Sequence, residues 1–274
     1  MKYRQICYEP GKVARIIMNR PNYRNAQSRV MLEEMDDAFL KAENDINVRV
    51  IVLSGEGDHF SSGHDLGTPE ELQDREKRGF PEDVKDFYGR ARSIFFENTM
   101  RWRNIRKPTI AIVQGYCIFG GFMIASAMDI IFASTDALFL TGNSQYFTGP
   151  WELGARKTKE ILFETRFISA KEARELGLVN RVFPRLKLEE ESMKYASRVA
   201  EADPFTVQSS KFLVNNTLDI IGYTASLNSA FQTYFANRSL GWSDFEKKVS
   251  KTKKLADIEK AMNHLKIKEN TDIL

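Results

Sequence analysis

Cysteine and histidine are scarce in this chain of 274 residues, with two of the former and three of the latter. Cys7 and Cys117 stand far apart in unrelated contexts, so no disulfide framework is available and a reducing compartment is the natural setting. His59, His64 and His264 include no pair at a helical ligand spacing, so no metal centre is expected. Charge of one sign is also lacking, because 40 Lys+Arg against 37 Asp+Glu leave a formal +3. That balance, with no aromatic-basic recognition motif, argues against a nucleic-acid partner. No run approaches the roughly 18 apolar residues of a membrane span, and the first ten residues carry no apolar signal core. No membrane partner is expected, and the chain reads as cytoplasmic. With 42% hydrophobic and 28% charged residues, disordered and collagen-like classes are excluded.

What is present is an alternation. β-rich apolar runs at 13–18 and 50–53 flank a stretch, 30–43, in which Met31, Met35, Ala38 and Phe39 fall at helical spacing. The pattern recurs as a strand at 109–113 between Pro108 and Gly115, a helix at 121–128 and a strand at 130–133. Such alternation predicts an α/β fold with parallel strands and right-handed crossovers. Between 67 and 90 the composition turns strongly charged and reads as a mobile surface segment with helical pieces. A further helix is expected from 151 to 163, with Glu160 and Glu164 on its charged face. After Pro184 the strand signals stop, and helices are expected at 188–201, 205–218 and 225–237. The chain therefore divides into a core of 1–189 and a helical C-terminal region of 190–274.

Two places carry chemistry. The loop from Phe60 through Ser62, Gly63, His64 and Asp65 to Leu66 follows the strand at 50–53, at the carboxyl end where α/β folds bind ligands. The second, Gln114-Gly115 to Gly120-Gly121-Phe122, follows the strand at 109–113 and opens a helix. A glycine pair there presents amide donors suited to an oxyanion, or serves only as a tight turn that needs positive φ.

Five segments in order carry a resemblance: Asn19-Arg20-Pro21-Asn22-Tyr23-Arg24-Asn25-Ala26, Phe60 to Leu66, Lys107 to Gly115 with Gly120-Gly121, Asp129 to Ser134, and Ile168 to Ala173 with Leu176 to Val182. Together, from about residue 3 to 215, they resemble the enoyl-CoA hydratase/isomerase (crotonase) superfamily. The resemblance implies a crotonase-like spiral of ββα repeats with a helical C-terminal region. It implies assembly as a homotrimer or homohexamer, with the C-terminal region used for oligomerisation. The implied activity is on acyl-CoA thioesters, with coenzyme A part of the substrate and no separate cofactor. By motif position, the backbone amides of His64 and Gly120 form the oxyanion hole that stabilises a thioester enolate. Arg24, Ala26, Ser62 and Asp65 lie in the segments that contact CoA.

The departures bear on the reaction. Met123 stands where the family's hydratases carry one catalytic glutamate, and Asn143 is the ungapped match to the other. Methionine can neither position water nor return a proton. Three residues are candidates to substitute for the missing acid and base. His64 has an imidazole that faces the pocket or bonds within its own loop. Tyr146 is a phenol donor or a wall of the acyl pocket. Glu152 is the nearest carboxylate after a shortened loop, where its other reading is an N-terminal helix residue favouring the dipole. Asp65 caps or ties its own loop. Phe122 and Trp151 are packing residues that would wall the acyl pocket, and bulk there hints at an unsaturated or cyclic acyl group. The basic cluster Lys247, Lys248, Lys251, Lys253 and Lys254 reads as a solvated helix face.

Three outcomes follow: a hydratase or isomerase acting through a thioester enolate; a CoA-thioester hydrolase, decarboxylase or lyase that uses the same oxyanion hole without the glutamates; or a non-catalytic CoA-binding subunit.

Overall fold

The computed structural model describes residues 3–81, 83–239 and 255–265. The basic cluster at 247–254 lies outside them. Strands β1 (Ile6–Glu9), β2 (Val13–Met18), β3 (Val50–Gly55), β4 (Thr109–Val113), β6 (Ile130–Ser134) and β9 (Arg181–Phe183) form one six-stranded sheet in the order β1-β2-β3-β4-β6-β9. Every pairing in it is parallel except that of β1 with β2. A second sheet, β5-β7-β8, comprises β5 (Tyr116–Ile118), β7 (Leu138–Leu140) and β8 (Ile168–Ser169).

The chain visits the two sheets in turn. β4 is followed by β5 and then α5 (Gly120–Ser126); β6 is followed by β7 and then α6 (Gly149–Leu153) and α7 (Ala155–Glu164). Single parallel bridges, Ser61 to Cys117 and Gln27 to His64, continue the small sheet toward the N-terminus, so each turn of a ββα spiral stacks on the last. The residues dictate this layering. β3 sends Ile51 and Leu53 into the main core and Val50 and Val52 to the opposite face, as a parallel strand buried on both sides requires. On one face α1 (Arg29–Asn44) buries Met31, Met35, Ala38 and Phe39, with Ser28 capping its first turn at Met31 N (3.1 Å). On the other face α9 (Arg185–Ala200) contributes Leu188, Ala196 and Ala200.

The charged segment after residue 67 holds α2 (Pro69–Arg78) and α3 (Val84–Ala91), then a π-turn at 92–97 and α4 (Asn98–Arg103). α2 is pinned by ion pairs, Arg78 to Glu33 (2.9 Å) and Arg29 to Asp74 (3.3 Å). The helix expected over 151–163 is two helices, because Gly154 at φ +75° breaks α6 from α7. The boundary placed between 189 and 190 falls inside α9, a helix of the core; α8 (Ala170–Glu175) precedes it, and α10 (Pro204–Ile220), α11 (Tyr223–Ser239) and α12 (255–265) follow, α11 packing Tyr223, Leu227, Phe231 and Phe235 into the main core. Among the described residues no helix is long and apolar enough to cross a membrane, and no three His, Cys, Asp or Glu side chains gather as a metal ion would require.

Candidate active site

Because β2, β3 and β4 are adjacent and parallel, the segments that follow them, 19–28, 56–65 and 114–121, leave the sheet at one edge. Asn25, in the left-handed region at φ +52°, joins the first two. Its amide nitrogen donates to the carbonyls of Glu56 (2.9 Å) and His59 (2.8 Å), and its oxygen accepts from Arg20 N (2.8 Å).

The stretch 61–65 runs between its two neighbours. Ser61 N–H donates to Tyr116 O (2.9 Å), and its carbonyl accepts from Ile118 N–H (3.0 Å). On the other side Gln27 N–H donates to Gly63 O (2.8 Å), and Asp65 N–H donates to Gln27 O (3.0 Å). A parallel bridge of this kind skips the residue between, so the backbone N–H of His64 points away from Gln27, toward the β5–α5 junction. Gly63 sits at that crossing. A side chain there would come within 2.7 Å of Ile118 O and 3.1 Å of Gly120 N, and its φ of +91° favours glycine independently. The backbone just ahead of His64 thus runs close against that of Gly120.

Phe119, just ahead of Gly120, has φ +45° and ψ −99°, a conformation L-residues rarely adopt. Its N–H donates to Leu140 O (2.8 Å) and its carbonyl accepts from Met123 N (2.9 Å), which hold the twist in place. The imidazole of His64 packs at a tilt against Phe95, with ring centroids 4.0 Å apart, and lies over Gly120, where a Cβ would be 2.8 Å from Nδ1. The π-turn carries Phe95, and its next residue, Phe96, packs at 6.3 Å against Tyr146.

The residues expected to contact CoA differ in exposure. Arg24 is exposed, at φ +50°. Its carbonyl accepts from Ser62 N (2.9 Å), and Ser62 is half-buried. Ala26 is buried, and its carbonyl accepts from the Arg20 guanidinium. The Asp65 carboxylate accepts from Gly67 N (2.9 Å) and Thr68 N (2.8 Å), which ties its own loop, and from Arg20 (2.8 Å) of the 19–28 segment. Burial pushes this carboxyl up, but the bonds from Thr68, Gly67 and Arg20 together outweigh it and hold it below the ordinary value. The His59 imidazole is pushed down by burial and then by the charge of Arg24.

The other candidates gather at the far end of α5. Thr148 Oγ1 donates to Ser126 Oγ (2.9 Å), and Ser126 Oγ donates to Met123 O (3.0 Å). Tyr146, fully buried, shares a hydrogen bond with Tyr223 (3.2 Å), and burial pushes its phenol up. Trp151 donates to Ser226 Oγ (3.4 Å) and lies 5.3 Å from the Tyr223 ring. Glu152 belongs to the same cluster: burial drives its carboxyl up to about 7, against the pull of the Arg103 guanidinium, which itself sits 4.3 Å over Tyr223. Met123 and Phe122 are buried in the main core, whereas Asn143 is exposed on the 141–148 stretch. The two positions matched to the family's glutamates therefore do not share an environment.

Gln27 was not singled out in the sequence. It is buried, and its Oε1 would lie 2.6 Å from a Gly120 Cβ, beside the imidazole. A polar residue just ahead of a helix-capping serine gives no local sign of this, because the partners that place it lie more than thirty residues away.

Comparison with known proteins agrees with this architecture. The Mycobacterium tuberculosis protein EchA13 is 38% identical over 262 residues, covering 87% of this chain and 82% of its own. A crystal structure described as a probable enoyl-CoA hydratase from Mycobacterium smegmatis superposes with a TM-score of 0.78 at 38% identity, over 85% of this chain and 93% of that one. An enoyl-CoA hydratase/isomerase structure from Xanthobacter autotrophicus Py2 gives 0.80 at 32% identity, over 91% of each. Residues 9–239 match the enoyl-CoA hydratase/isomerase family profile; with the spiral fold and these relatives, the chain belongs to the enoyl-CoA hydratase/isomerase family.

Proposed function

We propose that the protein is an acyl-CoA thioester enzyme in which the amides of His64 and Gly120 stabilise an enolate and the His64 imidazole carries the proton. The observation that carries this reading is the position of the imidazole over Gly120, close enough that a methyl group on that glycine would overlap it. A base is thereby set beside the amide pair, while the position matched to a family glutamate is the buried Met123.

In this reading the thioester oxygen accepts from both amides, each worth about 3 kcal/mol to a developing oxyanion. The α C–H bond breaks, its electron pair delocalises onto the thioester oxygen, and the proton binds the imidazole. Return of that proton to the α- or γ-carbon gives exchange or isomerisation. The chemistry needs no cofactor beyond the CoA carried by the substrate. The loop of Arg24, Ala26, Ser62 and Asp65 would hold the CoA, with exposed Arg24 toward its phosphates. Phe122 and Trp151 would wall the acyl pocket, and Tyr146 and Glu152, at the far end of α5, would shape it. Assembly as a homotrimer or homohexamer is part of the proposal, supported by α10, which has no buried residue and exposes Phe205, Phe212, Leu213 and Val214.

The test is incubation with short-chain and cyclic 2-enoyl-CoA, and with their saturated thioesters, in deuterated water, followed by mass spectrometry. Deuterium uptake at the α- or γ-carbon that falls at least 100-fold in His64→Ala, with CoA binding retained, is the expected result. Uptake undiminished in His64→Ala refutes the assignment of the proton carrier. Release of free CoA without uptake would favour the hydrolase, and silence with CoA binding retained would favour a non-catalytic subunit.

A further inference from the structure

Gln27 is 2% exposed, and its side-chain nitrogen donates to Ser61 Oγ (3.3 Å). The single proton of that hydroxyl is already given to Asn25 O (2.8 Å), so toward Gln27 the serine can only accept. This fixes the rotation of the Gln27 amide, with nitrogen toward Ser61 and oxygen turned the other way. The oxygen is sealed from solvent and has no hydrogen-bond partner among the described residues. It faces the point above Gly120 that Nδ1 of His64 also faces, at 2.6 Å and 2.8 Å respectively. A buried amide acceptor without a donor is costly, and the imidazole is a side chain beside it that carries an N–H in every protonation state.

Resting on the reading of His64 as proton carrier, we infer that Gln27 is a positioning residue whose side-chain oxygen accepts Nδ1–H of His64 during turnover, leaving Nε2 as the nitrogen that takes the substrate proton. Both atoms lie against the same point above Gly120, and rotation of the two side chains would bring them together. The Phe95 ring, 4.0 Å away and tilted by 32°, packs against the imidazole on one side. When Nε2 binds the α-proton, the imidazolium keeps its Nδ1–H on the Gln27 oxygen, and Nε2 later returns the proton to carbon, so the base is regenerated without a co-reactant. Among the described residues of the packed segments, these charged groups are engaged with other partners. Asp65 is paired with Arg20 (2.8 Å), Arg92 on the π-turn is paired with Glu97 (3.0 Å), and α5 has no titratable side chain. Arg24, on the Gln27 segment, is exposed.

The experiment uses the full chain and Gln27→Glu, Gln27→Leu and His64→Ala variants, with the pH profile of α-proton exchange as readout. A carboxylate in place of the amide favours the imidazolium, so the acid limb of Gln27→Glu moves up by about one unit or more. Gln27→Leu loses about 10-fold or more in exchange at unchanged CoA affinity, because the ring is no longer held in one tautomer. An acid limb that coincides with wild type in Gln27→Glu, while His64→Ala abolishes exchange, overturns the role of Gln27 and leaves the proton carrier standing. Exchange that survives in His64→Ala overturns both. Should a variant fail to fold, imidazole nitrogen NMR of the wild-type chain decides, because only three histidines need assignment. The Nδ1–H tautomer at His64 is expected, and the Nε2–H tautomer overturns the inference.

Discussion

Replacing Gly120 with alanine tests the geometry at its tightest point. The new methyl would lie 2.6 Å from Gln27 Oε1, 2.8 Å from His64 Nδ1 and 2.9 Å from His64 Cε1, all ends of side chains that can swing away. Overpacking costs about 1–3 kcal/mol, and alanine in a helix regains about 0.5–1 kcal/mol over glycine. The net loss is therefore about 0–2 kcal/mol, a fall in Tm of up to about 8 °C for a chain of this size. Activity is affected far more, because an imidazole displaced by about an ångström costs roughly 100-fold in rate. Gly121→Ala inverts the balance. Its methyl would meet Ser61 O at 2.7 Å, and that backbone is bonded to Tyr116 and Ile118 and cannot yield. A loss of about 3 kcal/mol, or roughly 6–12 °C, is expected there. The assay pairs thermal melts of both variants with deuterium exchange into a thioester substrate. If Gly120→Ala keeps exchange within about 3-fold of wild type, the imidazole does not stand where the argument puts it.

Three further outcomes are expected. Asp65→Asn removes the buried one of the two carboxylates on Arg20, with exposed Glu70 left as the other, and should cost about 1–3 kcal/mol at pH 7. Because the folded carboxyl is held below its ordinary value, that stability is full above about pH 4 and is lost as the pH falls further; urea unfolding at several pH values should show the gap to wild type closing in acid. Glu152 works in the opposite sense. Its carboxyl is raised to about 7, so the folded chain keeps a proton the unfolded chain sheds, and stability falls as the pH rises from about 4.5 to about 7. Melts of Glu152→Gln should gain on wild type between pH 5 and pH 8, and a constant difference would show that the carboxyl is not raised. Phe212→Asp on α10 should split the proposed homo-oligomer, read as a drop in mass by light scattering at unchanged helix content; an unchanged mass would move the interface elsewhere.

The sequence made the large sheet legible and much of the site obscure, for one physical reason. β2 and β4 begin and end where their apolar runs do, at Val13 and Met18 and at Thr109 and Val113, because strands buried on both faces write themselves as continuous runs. The small sheet is built from two- and three-residue strands, too short for a period to develop, and only the flanking glycines marked it. β1 went unread because Ile6 is its one buried residue. Gly154 looked like an ordinary residue of a continuous helix, and only its positive φ reveals a break. The loops of His64 and Gly120 were legible through motif and glycine spacing. Gln27 was not, because its placement depends on Ser61 and Gly120, contacts that exist only once the spiral has closed.

α12, at 255–265, seats Ala261 against Ile118, Leu140 and Phe167, with Ile258, Met262 and Leu265 around them, and the ring of Phe119 packs into the same cluster. A backbone twist like that of Phe119 costs about 1–3 kcal/mol and persists only while its surroundings hold it. The last described helix therefore acts as a shim beneath a sprung joint. Without it, the Phe119 twist rests on its bonds to Leu140 and Met123 alone, and the Gly120 peptide is held less firmly. A segment far along the chain thereby sets the aim of an amide that it does not itself supply.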